Sequence, residues 1–272
     1  MTATESAPGA AARFRAEYGA HRAAEGRGHR GAELLELPYL SSGPLARQWK
    51  VRARSFDAFV RHVLRPAAAE VRRPLDVLDL GAGNGWLCYR AALAGHAALA
   101  VDVRDDAVDG LGAAAGYLAE PGVGFGRVAA SFDALPLRPA GFDVAVFNAA
   151  LHYALDLPAT LAEAARTLRP GGRLVILDSP FYRRDSDGRA MVAEKRKHAA
   201  VRFGGRADAL LSLPFIEYLT VERLRDASES AGLVWTRYPV AYPLWYEARP
   251  LTARLRGRRA PSRFDLWVGR IP

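Results

Sequence analysis

The chain has 272 residues, half of them apolar and a quarter charged, which is globular composition with room for one large domain and excludes a disordered or fibrous chain. No run of about 18 apolar residues is present, the first twenty residues lack a signal-peptide core, and the lone Cys88 leaves no disulfide framework or cysteine-rich zinc site. The net charge of +9 divides as +6 over 1–74, −5 over 75–178 and +8 over 179–272, and only three of the 38 basic residues are lysines. These features describe a cytoplasmic protein with no membrane span and no metal, in which arginine usage reflects coding bias more than nucleic-acid binding.

Residues 1–32, rich in Ala, Gly and Arg, read as a mobile arm, with a short helix over 10–24 that GRGHRG at 26–31 breaks. Residues 33–74 form a helical cap. Leu45, Trp49, Phe56, Phe59, Val60, Val63 and Leu64 recur at helical spacing, with a start at Ser42-Gly43-Pro44 and an end at Arg65-Pro66. From Leu75 the pattern alternates. Strands are expected at 75–80, 97–103, 123–129, 142–148 and 173–179, and helices at 86–94, 105–119 and 158–168, with a turn at Pro170-Gly171-Gly172. Strands separated by helices of this length mean parallel βαβ units with helices on both faces. The polar, basic stretch 180–219, helical over 187–202, interrupts the alternation as an insertion covering the substrate site. Thr220 caps a helix to Ala231, and 233–240 and 262–269 suit a terminal antiparallel pair.

The chemical signal is VLDLGAGNGW at 77–86. Gly81, Gly83 and Gly85 crowd a strand-to-helix turn where backbone N–H groups are free and a ligand can approach closely. A dinucleotide fingerprint would place its third glycine one residue later, and Trp86 stands there. Asp79, two residues before the first glycine, would repel a pyrophosphate and attract an ammonium. Asp102, 21 residues after Gly81, ends the next strand where ribose hydroxyls can be gripped. A cofactor with a ribose and an amino acid, but no pyrophosphate, fits both acids.

On these residues the chain resembles the class I S-adenosylmethionine (SAM)-dependent methyltransferases. The likeness continues through Leu135-Pro136-Leu137, FDVAVFNAALHY at 142–153 and LRPGGRLVILD at 168–178, so it covers about 70–180 in order and extends through 220–270. The resemblance implies an α/β Rossmann-like sheet of seven strands with the last one reversed. It also implies SAM as cofactor and S-adenosylhomocysteine as product. Asp79 would help hold the methionine ammonium. Gly81, Ala82, Gly83, Asn84 and Gly85 would give the cofactor backbone room, and Asp102 with Val103 would hold the ribose. Ser131, Phe132 and Asp133 align with the adenine loop; many relatives carry an acid where Ser131 stands, so either Ser131 or Asp133 takes that part. Asn148 ends the fourth strand beside the methionine amino group.

Methyl transfer from a sulfonium asks for alignment and a dry pocket, and an oxygen or carbon nucleophile also needs a base. His152 is the candidate base and Tyr153 its neighbour in the pocket. Tyr39, Trp49 and Tyr182 are candidate substrate contacts, with Tyr246 a further aromatic to weigh. The basic flanks favour a small-molecule acceptor with a carboxylate or phosphate, methylated at oxygen or carbon: a secondary metabolite, quinone precursor or lipid-like molecule. The competing readings are an RNA methyltransferase, for which no appended RNA-binding module is visible, a SAM-binding scaffold without turnover, and a nicotinamide-dependent oxidoreductase, against which Asp79 and the early third glycine count.

Overall fold

The structure is a computed structural model that describes residues 16–19, 28–203, 211 and 213–271. Of the expected arm helix over 10–24, residues 16–19 are helical and the rest lies outside the described residues, as do 204–210 and 212 of the expected insertion. Three helical stretches lead in: α1 (Gly31–Glu36), α2 (Ala46–Phe59) and α3 (Arg65–Val71), the last two joined by a π-helical turn, Val60–Leu64. The helix expected to end at Arg65-Pro66 instead continues to Val71. Proline lacks an N–H and its ring crowds the carbonyl four residues back. The wider π turn, in which the Arg65 N–H reaches the Val60 carbonyl, carries the chain past it.

The core of the fold is a seven-stranded sheet: β1 (Asp76–Leu80), β2 (Ala97–Asp102), β3 (Gly126–Ala129), β4 (Phe142–Asn148), β5 (Leu168–Leu177), β6 (Val234–Tyr238) and β7 (Leu266–Arg270). Their spatial order is β3-β2-β1-β4-β5-β7-β6. β7 alone runs against its neighbours, pairing antiparallel with β5 and β6. α4 (Trp86–Leu93) links β1 to β2, α5 (Ala115–Leu118) precedes β3, and α6 (Leu157–Arg166) links β4 to β5. α7 (Asp185–Phe203) and α8 (Val221–Ser228) follow β5, and two short helices, α9 (Leu244–Glu247) and α10 (Arg249–Leu255), lie between β6 and β7.

Side-chain alternation sorts the strand residues between two cores. Val77, Val144, Val146, Val175 and Leu177 pack with Trp49, Phe56 and Phe59 of α2 and Trp86 of α4. Leu78, Leu80, Ala145, Phe147, Leu174 and Ile176 pack with Leu157 and Leu161 of α6 and Leu224 of α8. Burial on both faces explains why β1, β4 and β5 read as nearly continuous apolar runs.

Two local expectations differ. Residues 105–119 do not form one helix: a 3-10 turn at Leu111–Ala114 and the short α5 replace it. Asp106 Oδ1 accepts the Val108 and Asp109 N–H groups, both at 3.0 Å, and such side-chain bonds compete with helix formation. A Cβ on Gly112 would stand 2.6 Å from the Asp105 carbonyl, so the loop also needs that glycine. β5 begins at Leu168, opposite Phe142, and Pro170-Gly171-Gly172 bulges out before Arg173 pairs with Val144.

Candidate active site

All the parallel strands end at one edge of the sheet, where loops from β1, β2, β3, β4 and β5 surround a cavity of about 590 Å³, the size of a small-molecule or cofactor site. The glycine turn forms one wall. Gly81, Gly83 and Gly85 have φ of 75°, 55° and 80°, the left-handed region that costs glycine nothing. At Gly81 space matters too, since a Cβ would lie 2.4 Å from that of Ala150. Both Gly81 N–H and Ala82 N–H donate to the Val101 carbonyl, and Asn84 Oδ1 accepts the Trp86 N–H at the start of α4.

Asp102 ties this wall to the next. Its Oδ2 accepts the Gly83 N–H at 2.8 Å and its Oδ1 the Arg104 N–H at 2.9 Å. Burial raises its pKa, against the pull of those two N–H groups and the Arg104 charge. Each carboxylate oxygen keeps a second lone pair for a ligand hydroxyl. Val103 and Asn84 also line the cavity.

Across from the turn stand Ser131, Phe132 and Asp133. Asp133 Oδ1 accepts a short hydrogen bond from Thr160, its Oδ2 accepts from the Ser131 hydroxyl at 3.3 Å, and its N–H donates back to Ser131 Oγ. Phe132 packs edge-on against Phe147.

Asn148 closes the floor at the end of β4. It is buried, lines the cavity, and its Oδ1 has no hydrogen-bond partner among the described residues. Asp79 is fully buried behind the turn and not part of the cavity wall. Its Oδ1 likewise has no partner, and its Oδ2 stands 4.0 Å from Cys88 Sγ. Burial, with Asp102 adding, pushes its carboxyl up to about 8, while Arg52 pulls the other way. The orphaned Asn148 oxygen, at the cavity wall beside the glycine cradle, fits an ammonium group, and Asp79 behind the turn can act on it only through its charge.

His152 and Tyr153 sit on a 3-10 turn after β4 and line the cavity. The Tyr153 hydroxyl is 3.0 Å from that of Tyr18, and its ring meets Phe215 edge-on. Trp49 lines the cavity and donates its Nε1–H to His29 Nε2 at 2.9 Å. Tyr39 and Tyr182 do not belong to the wall. Tyr39 is exposed and hydrogen-bonds Asp57 of α2. Tyr182 is buried against Tyr218, under Arg259. Tyr246 is buried beside Tyr242. Gly85 is outside the wall as well, backed by Phe125.

The wall also holds Tyr18, His29, Arg52, Asp178 and Phe264, for which sequence reading assigned no role. Asp178 carried a signal: it directly follows β5, at the same edge of the sheet where Asp102 ends β2. The wall does not continue the basic balance of the chain's ends. Among the described residues it carries four acids (Asp102, Asp109, Asp133 and Asp178) against two arginines (Arg52 and Arg104), and Arg104 is paired with Asp106 and Asp109.

The strand order, the reversed β7, the glycine turn after β1 and the acid ending β2 together define the class I methyltransferase fold. Residues 78–176 match the family model described as a methyltransferase domain. It is similar to a ubiquinone/menaquinone biosynthesis C-methyltransferase of Methylobacterium nodulans, 34% identical over 51% of this chain and 52% of that one. It is also similar to a malonyl-acyl-carrier-protein O-methyltransferase of Hahella chejuensis, 31% identical over 52% of this chain and 54% of that one. The chain thus spans about half the length of the curated relatives it matches. Among solved structures, a geranyl diphosphate C-methyltransferase from Streptomyces coelicolor, in complex with Mg²⁺, geranyl diphosphate and S-adenosylhomocysteine, aligns with a TM-score of 0.58. The alignment covers 90% of this chain and 89% of that chain at 14% identity, a likeness of fold. No helix of the described residues is long and apolar enough to cross a membrane.

Proposed function

We propose that this protein transfers the methyl group of SAM to oxygen or carbon of a small-molecule acceptor. The observation that carries the reading is Asp102, whose carboxylate bridges the glycine turn and the β2 loop at the cavity wall. There it offers acceptors to a ribose without facing a pyrophosphate. The cofactor, when bound, supplies a methyl group already activated by a sulfonium. Gly81, Ala82, Gly83 and Asn84 hold its backbone-facing side, and Asn148 with the buried Asp79 favours its ammonium end. Phe132 offers a flat face to its adenine, and Ser131 and Asp133 offer polar atoms to the ring edge. That part of the cavity is built by the ends of β1, β2 and β3, with Asn148 from the end of β4.

The other half is floored by β4 and β5 and walled by Trp49, His152, Tyr153 and Phe215. It is left for the acceptor, and its aromatic walls exclude water. The relatives named as C- and O-methyltransferases support a small-molecule acceptor.

Titration of the purified protein with SAM, S-adenosylhomocysteine and NADH tests the reading. Micromolar binding of both sulfur ligands and none of NADH is expected. Asp102→Ala should weaken SAM at least about tenfold, as loss of charge-assisted hydrogen bonds worth ~1.5–3 kcal/mol requires. Equal SAM affinity in the variant would remove the ribose role, and NADH binding would turn the reading to hydride transfer.

A further inference from the structure

The methyl-transfer reading leaves two buried acids in the cavity wall without a task, and one of them, Asp109, is paired with Arg104. Asp178 is the first residue after β5. It is 7% exposed and lines the cavity. Its φ is +50°, and Ala149, the first residue after the neighbouring β4, has φ of +55°. The two are coupled, since the Ala149 N–H donates to the Leu177 carbonyl at 2.9 Å. Left-handed backbone is disfavoured for a residue other than glycine, and such strain persists where the surroundings fix it.

The surroundings here are specific. Ser55 of α2 donates to Asp178 Oδ1 at 2.5 Å, and the Ser55 oxygen lies 2.8 Å from the Tyr242 hydroxyl. Tyr242 in turn donates a short hydrogen bond to the Phe264 carbonyl. Ser55 is wholly buried. Asp178 Oδ1 is therefore anchored from behind, while Oδ2 has no hydrogen bond among the described residues. Burial raises the carboxyl's proton affinity, Arg52 and Ser55 act against it, and Tyr242 and Tyr246 are the other titratable groups on that side.

Position separates Asp178 from the glycine turn, since it follows β5 and is tied to α2 through Ser55; Trp49, Val51, Pro180 and Phe264 line the same cavity. These walls suit a flat, apolar ring. A fixed carboxylate among them disfavours an acceptor that is already a carboxylate, and favours one that brings a proton to give up. His152, on a short 3-10 turn with its ring against Tyr153 at 4.3 Å, is the alternative base, while Asp178, next after β5, accepts the hydrogen bond of the buried Ser55.

We infer that Asp178 is the general base of the transfer and that the acceptor is a phenol, whose hydroxyl proton passes to Asp178 Oδ2. This rests on the methyl-transfer reading. As the proton leaves, the phenol oxygen's electron pair forms the O–CH₃ bond. The C–S bond breaks with its pair staying on sulfur, giving S-adenosylhomocysteine and an aryl methyl ether. Ser55 is a positioning residue that fixes the carboxyl through Oδ1.

The test is single-turnover transfer from radiolabelled SAM to 4-methoxyphenol, phenol and 4-nitrophenol, using wild type, Asp178→Asn and Ser55→Ala. Asparagine keeps the size and the tolerance of left-handed backbone, so the fold and the SAM affinity should be retained. Asp178→Asn should slow transfer to 4-methoxyphenol and phenol by ~100-fold or more, the range of general-base catalysis. The nitrophenol, largely ionised in mildly alkaline buffer, should slow less than about tenfold, since it needs no base. Ser55→Ala should show the same graded pattern with smaller factors. Equal slowing of all three phenols would mark a merely structural role and overturn the inference. So would wild-type protein that binds SAM and methylates none of them, or that methylates only carboxylates. Failure of wild type to bind SAM would overturn the methyl-transfer reading itself, and the inference with it.

Discussion

Asp79 illustrates how a single buried acid couples ligand binding to pH. With its carboxyl pushed up to about 8 by burial and by Asp102, it holds its proton at neutral pH in the ligand-free protein. A cation brought against the glycine turn favours the ionised form, so SAM binding near pH 7 should release a proton. Affinity should rise between about pH 6 and 7.5, because bound protein then carries fewer protons than free. Calorimetry in two buffers of different ionisation enthalpy reads that proton directly, and Asp79→Asn should abolish both effects. The stability of the ligand-free protein carries the opposite slope. The folded pKa lies above the unfolded value of about 3.9, so the native state binds more protons and loses stability as pH climbs from about 4 through 8. A binding enthalpy independent of buffer would refute the coupling. At this scale the cofactor half was legible because its residues follow one another along strand, turn and strand end. The acceptor half was not. Arg52 and His29 reach the cavity only through the packing of helices, which no spacing records, and Tyr39 and Tyr182 show that an aromatic's position in the chain does not say where it points.

At the scale of elements, local chemistry decided what could be read. α8 has eight residues, too few for a stable helix in isolation. Its N-cap is Thr220, whose Oγ1 accepts the Arg223 N–H at 3.1 Å while the residue is 2% exposed. Thr220→Ala should therefore cost about 1 kcal/mol, and Thr220→Ser should recover more than half of that. Urea midpoints of the three proteins measure it, and an alanine variant equal to wild type would mean that packing of Leu224 alone holds the helix. Caps of this kind are visible in sequence, and Thr220 was. Asp156, which caps α6 through the Ala159 N–H, obeys the same rule. The stretch 105–119 misled because its apolar spacing says nothing of Asp106 turning back onto the backbone. The π turn before Pro66 is a comparable case, since proline normally ends a helix and here only widens it.

Across the whole molecule, the order in which strands lie differs from the order in which they are made. Alternating strands and helices announced a parallel sheet, and the pattern at the end of the chain suggested an antiparallel pair. Spacing alone, though, does not show that β7 enters between β5 and β6. That placement has a consequence for stability. Leu266 and Val268 join the core under α2, and Trp267 joins the other, stacked on Phe181 at 4.9 Å. Neither core closes, and β5 and β6 have no common partner, until the last strand is in place. Removal of residues 263–272 should therefore do more than trim an edge. Although Phe264 is the only cavity-lining residue lost among those described, the shortened chain should lose SAM binding and two-state unfolding together. Tryptophan fluorescence and far-ultraviolet circular dichroism should no longer report one shared urea transition. Equilibrium unfolding followed by both probes checks this, because a chain that paired β5 and β6 independently of β7 would keep a single cooperative transition with its SAM site intact.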